Sequence, residues 1–80
     1  MKDTLTFIVK QLVDTPDEVV VEEKEENGVR ELTISASKED IGKVIGKGGK
    51  VIRSIRNVMK IVAMKKNEKV YISVNADEQI

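Results

Sequence analysis

Three glycines fall within four residues at Gly46-Lys47-Gly48-Gly49, in a stretch whose two flanks are both patterned for helix. Glycine weakens helices and enters left-handed conformations freely, so this segment has to be a tight turn and cannot continue either flank. Before it, Ile41, Val44 and Ile45 recur at helical spacing, opened by Ser37 with Asp40 three residues on, a variant of the capping box. After it, Ile52, Ile55, Met59 and Val62 repeat the period and read as core, with Val51 and Val58 beside them. Lys65-Lys66-Asn67 then places cations at the negative end of that second helix. Helix, glycine turn and helix must follow one another without a linker.

The rest of the 80 residues is patterned around this unit. Leu5, Ile8, Val9, Leu12 and Val13 form the apolar stripe of a first helix, with Asp3 or Thr4 able to cap its start and Asp14-Thr15-Pro16 ending it. Glu18 to Glu25 and Val29 to Ala36 are strand-like runs joined by Asn27-Gly28. That dipeptide suits a two-residue hairpin because both central positions of a type I′ turn need positive φ. Glu22, Glu23, Glu25 and Glu26 suit an exposed edge that discourages further pairing. Val70, Ile72 and Val74 alternate as a last strand, and residues 76 to 80 read as a frayed tail. The order is α-β-β-α-α-β. With no repeat, linker or low-complexity tract, residues 1 to 80 are expected to form a single α+β domain.

Composition narrows the chemistry. There is no Cys and no His, so disulfides, Cys/His metal sites and the usual Cys or Ser/His nucleophile pairs are excluded, and neither catalysis nor a metal or other cofactor is expected. No apolar run approaches the ~20 residues that span a bilayer, and the charged start Met1 to Asp3 leads into no secretory core; the expectation is a cytoplasmic protein with no membrane partner. The net charge is zero, yet residues 1 to 37 carry four basic and nine acidic groups while residues 38 to 69 carry ten basic and three acidic. The second segment is thus +7 and the first −5. Either the two halves neutralise each other across the fold, or the cations converge on a site.

The glycine turn is where they would converge. Three glycines let a bulky ligand approach without meeting a Cβ, and the turn leads into a helix N-terminus whose free amides favour an anion. Lys47 lies inside it, with Lys43, Lys50 and Arg53 within about one turn on either side. A mononucleotide loop of the G-x-x-x-x-G-K-[S/T] type is absent, and G-x-G-x-x-G fails because position 51 is Val51. Phe7 and Tyr71, the sole aromatics, cannot build a stacking surface of the kind that many single-strand readers use. A clamp on a nucleic-acid backbone remains.

The run Val44-Ile45-Gly46-Lys47-Gly48-Gly49-Lys50-Val51-Ile52 resembles, throughout, the V-I-G-x-x-G-x-x-I signature of the hnRNP K homology (KH) domain, and the order α-β-β-α-α-β resembles its type II, bacterial form. The Asp14-Thr15-Pro16-Asp17-Glu18 segment after a first helix is similar to that of the small stand-alone KH proteins of bacteria. The resemblance covers essentially the whole chain and implies a three-stranded mixed sheet packed against helices. It further implies an RNA-binding protein, an RNA chaperone or post-transcriptional regulator, whose Gly46 to Gly49 loop grips roughly four unpaired nucleotides of single-stranded RNA. By the same analogy Lys47 and Lys50 make the ionic contacts, Lys43 and Arg53 extend the field, and bases lie in a shallow groove. Ile41 and Ile45 would form its floor unless they are buried against the sheet, with the strand around Ile72 as its far wall. Many KH domains carry a cation at either middle loop position; here the second is Gly48, which implies modest affinity. The alternative is a protein-interaction subunit acting mainly as a homodimer, or as a heterodimer with a second bacterial KH-containing protein. Lys65, Lys66 and Lys69 read as a solvated face.

Overall fold

The glycine turn does separate two helices. In the computed structural model, which describes residues 1–75, α2 (Lys38–Ile45) and α3 (Lys50–Lys65) flank a single 3₁₀ turn at Lys47–Gly49. They are preceded by α1 (Lys2–Leu12), a 3₁₀ turn at Pro16–Glu18, β1 (Val20–Glu26) and β2 (Val29–Ser35), and followed by β3 (Lys69–Val74). The α-β-β-α-α-β order is as expected. The expectation of a frayed tail at 76–80 falls outside the described residues.

The sheet is mixed, in the order β1-β2-β3. Asn27 and Gly28 adopt φ of 54° and 79°, as a type I′ turn requires, so β1 and β2 pair antiparallel with Glu26 opposite Val29. β3 returns through α2 and α3 and pairs parallel to β2, Leu32 opposite Ile72 and Ile34 opposite Val74. The alternation on these strands gives the sheet one apolar face. Val21, Leu32, Ile34 and Ile72 point into a core completed by Leu5 and Val9 of α1, Val44 of α2, and Ile52, Ile55 and Met59 of α3. Burying each such side chain contributes about 1.5–3 kcal/mol. On the opposite face Thr33 and Ser73 exchange a hydroxyl hydrogen bond of 3.2 Å across β2 and β3.

Local differences from the sequence reading have physical causes. α1 starts two residues before the expected caps: Met1 occupies the cap position, no side chain caps it, and Asp3 sits in the first turn where its charge suits the helix dipole. On α3 the buried positions are Ile52, Ile55, Met59 and Ala63, while Val62 is only half-buried. The contact stripe of a straight helix drifts over four turns, which carries the last core position from 62 to 63. α3 ends in a Schellman arrangement, with Asn67 at φ 57°, its amide donating to Met64 and that of Glu68 to Ala63 at 2.9 Å. Among the described residues no helix is long and apolar enough to cross a membrane.

Candidate nucleic-acid interface

The junction between α2 and α3 is built on glycine backbone. Gly46 ends α2 with its amide on the Gly42 carbonyl at 2.8 Å, then turns to φ 78°, ψ 169°, a region open essentially to glycine alone. Space imposes the same choice: a Cβ there would lie 2.3 Å from Val51 Cγ2 and 2.8 Å from the Val51 amide nitrogen. Gly48 and Gly49 are left-handed, at φ 64° and 76°, but a Cβ on either would meet nothing within 4 Å. Their outer surface is therefore bare backbone, open to whatever approaches. The turn closes through the Gly49 amide on the Gly46 carbonyl at 3.1 Å.

α3 begins at this bare surface. Its cap position is Gly49, which offers no side-chain acceptor; the Lys50 amide donates back to the Lys47 carbonyl, and the turn sits at the positive end of the dipole of a 16-residue helix. Lys47 and Lys50 are exposed and, among the described residues, form no ion pair. Arg53 leans back to the loop, donating to the Gly48 carbonyl at 3.4 Å. Lys43 differs from these three: its ammonium pairs with the Asp14 carboxylate and lies 3.7 Å from Asp40. The hydrogen bond to Asp14 leads the causes that hold the Lys43 pKa above the ordinary lysine value.

Asp40 was legible in the sequence only as part of a capping box. Ser37 does cap α2, its hydroxyl accepting from the Asp40 amide at 3.3 Å. The Asp40 carboxylate, however, is 2% exposed and accepts from the amides of Thr15 at 2.9 Å and Asp14 at 3.3 Å, tying the end of α1 to the start of α2. Burial pushes its pKa upward, but the Thr15 and Asp14 amides, the Ser37 hydroxyl and Lys43 outweigh that, leaving it below the ordinary aspartate value.

The hydrophobic candidates divide. Ile41 is 2% exposed, within the protein interior, whereas Ile45 is half-buried against the core at the last turn of α2 before the loop. Ile72, also 2% exposed, borders a cleft of about 530 Å³ between α3 and β3. Arg56, Asn57 and Lys60 line one side of this cleft and Val70 and Tyr71 the other. Sequence reasoning counted Arg56 and Lys60 only as charge. The signal for them was the spacing Arg53, Arg56, Lys60, which puts three cations on one side of α3 within about 11 Å of axis. The two charged halves do not neutralise each other: of the ten cations in residues 38 to 69, Lys43 alone is ion-paired to the N-terminal half by its own donation, and Glu68 of this segment meets Arg30 at 3.4 Å.

Comparison with known proteins adds a family. Residues 2–74 match the family described as KhpA/KhpB, KH domain. The chain is 40% identical over 78 residues to the RNA-binding protein KhpA of Chlamydia caviae, covering 98% of this chain and all of that protein. It is 45% identical over 76 residues to the protein of the same name from Clostridium perfringens, covering 92% and 99%. Against that of Listeria monocytogenes it is 36% identical over 74 residues, covering 92% and 97%. No solved structure matches.

Proposed function

Since the chain belongs to the KhpA/KhpB family of KH domains, we propose that it is a non-catalytic RNA-binding protein whose glycine turn clamps the backbone of single-stranded RNA. The observation that carries this reading is the bare, left-handed Gly48-Gly49 surface at a helix N-terminus without a side-chain cap, flanked by Lys47 and Lys50, which form no ion pair among the described residues. A positive dipole end attracts phosphate without regard to base identity, a surface free of side chains lets the strand come close, and the two ammonium groups add long-range attraction. Arg53 is already held at the loop carbonyl, so a phosphate reaching it meets a partly ordered side chain. Lys43 contributes by field, since its ammonium is shared with Asp14 and Asp40. Of the two apolar candidates, Ile45 is the one placed to meet a base beside the loop, since Ile41 is buried. The chemistry suits an RNA chaperone or post-transcriptional regulator, which needs to hold many unpaired segments with low sequence preference.

Replacing Lys47 and Gly48 together by Asp tests the site. Asp tolerates the left-handed conformation better than most residues and a Cβ at 48 meets nothing within 4 Å, so circular dichroism should show the parent's fold, with a melting point lowered by the conformational cost at 48 alone. Filter binding to a short unstructured RNA should be lost. Undiminished binding would remove the loop from the interface.

A second reading, a subunit acting mainly through homodimerisation or pairing with another KH-containing chain, is favoured by one observation. Val58, Ile61 and Met64 wind along the solvent side of α3 at 46%, 58% and 66% exposure, an apolar strip that a partner would cover. The two readings are compatible, since the strip and the glycine turn involve different residues of α3.

A further inference from the structure

We infer that Asp14 limits the strength of the RNA clamp by holding the Lys43 ammonium back along α2, so that one of the four cations around the glycine turn is withheld from phosphate. The inference rests on the proposed RNA-binding function and makes Asp14 a positioning residue of that site.

The direction in which Lys43 is held carries the argument. Lys43 stands three residues before Gly46, about 4.5 Å along the helix axis, a distance its flexible four-carbon stem can span. Its ammonium nevertheless lies the other way. It donates to the Asp14 carboxylate and sits 3.7 Å from Asp40, which is three residues nearer the start of α2. Helical side chains lean toward the N-terminus of their helix, and the two carboxylates hold Lys43 in that lean. Lys47 and Lys50 have no such anchor among the described residues. Arg53 leans toward the turn itself, on the Gly48 carbonyl.

An exposed ion pair is ordinarily loose, but the backbone of Asp14 is pinned. Its amide donates to the Asp40 carboxylate at 3.3 Å, the Thr15 amide does so at 2.9 Å, and Pro16 follows. Asp40 is itself 2% exposed, so a buried group fixes Asp14 against the start of α2, opposite Lys43. Of the two carboxylates Asp14 supplies the stronger hold, because the oxygens of Asp40 are already taken by these two amides. The side chains of Asp14 and Lys43 are 80% and 45% exposed, which leaves the pair open to solvent and the ammonium open to a phosphate once the carboxylate is gone. Removing the Asp14 charge leaves the pinned backbone intact, since Asp40 binds its amide and not its carboxylate. A withheld cation keeps affinity modest, which suits a protein that has to release the strands it holds.

The test is a double-mutant cycle between Asp14→Asn and Lys43→Gln, read by filter binding to a short unstructured RNA across a salt series. Asp14→Asn should bind about two- to fivefold more tightly than the parent, the range spanned by an exposed ion pair. Its plot of log K against log salt should steepen by about 0.7, the increment for one further phosphate on a single strand. In the Lys43→Gln background the same substitution should change neither affinity nor slope. Asp17→Asn, which removes an equal charge three residues on, should leave the slope as in the parent. Circular dichroism should show one fold for all the variants.

Unchanged binding in Asp14→Asn overturns the inference. So does a gain that persists in Lys43→Gln or is matched by Asp17→Asn, because it assigns the effect to long-range charge. In each of these cases the parent still binds and still depends on its loop. Failure of the broader reading looks different: the parent binds no RNA, or the loop variant with Asp at 47 and 48 binds as the parent does, and the inference falls with it.

Discussion

At Gly46 two independent demands meet. The backbone sits at φ 78°, ψ 169°, and the place a Cβ would take is already filled by Val51. Strain in that region costs of order 1–3 kcal/mol, and relieving the overlap requires α3 to shift against α2. Gly46→Ala should therefore destabilise the fold by about 2–4 kcal/mol in chemical denaturation, combining the two terms. Gly48→Ala meets only the conformational term, about 1–2 kcal/mol, because its surroundings are open. A smaller loss at Gly46 than at Gly48 would contradict this division of roles. Three glycines in a row of four thus serve two ends: the first packs the helix pair, and the other two keep the outer surface clear.

Among the elements, the connection from α1 into the sheet is secured from an unexpected direction. The Asp40 carboxylate, on α2, satisfies the amides of Asp14 and Thr15 where α1 gives way to the Pro16–Glu18 turn. Because its pKa is lower folded than unfolded, its stabilising contribution is fully present above the ordinary aspartate pKa of about 3.9 and disappears as pH falls through the lower folded value. Asp40→Asn should melt below the parent at neutral pH, and the gap between the two should close as the medium is taken below about pH 4. A gap independent of pH would assign the effect to packing alone. Lys43 works in the opposite sense: its raised pKa keeps the ammonium charged through neutral pH, and on the alkaline side its contribution is lost as pH rises through the folded value.

Element identity was largely legible in the sequence because each signal here is local. The i, i+3, i+4 stripes, the Asn27-Gly28 turn and the Ser37 cap act over a few residues; the turn and the cap form as read, and the stripes hold except at their C-terminal ends, where Leu12 is exposed, Val13 lies past α1 and Ala63 takes the core place of Val62. What could not be read are relations between segments distant in the chain. Asp40 lies 25 residues from its Thr15 partner, and Arg56 lies 16 from the Ile72 carbonyl. The loop residues were legible because their motif is contiguous; the wall of the cleft was not, because it is assembled by the parallel return of β3 beside β2. Ile41 fell between, since a stripe on a short helix does not tell which of its members the sheet will cover.

For the molecule as a whole, zero net charge conceals a separation that the fold preserves. The acidic residues of β1 lie on one edge of the sheet, whereas Lys47, Lys50, Arg53, Arg56 and Lys60 lie on the glycine turn and on α3, the helix that packs against the opposite edge strand β3. Such an arrangement attracts an anionic strand to one side and repels it from the other, with little net pull at a distance. Association should therefore depend on phosphates neutralised locally at the loop.

The most direct measurement is the salt dependence of binding to a short unstructured RNA. Three to four phosphates neutralised at the loop and the first turn of α3 should give a plot of log K against log salt with a slope of about −2 to −3. A flat response, or no binding at any salt concentration, would contradict a backbone clamp and leave pairing through the apolar strip of α3 as the function of this domain.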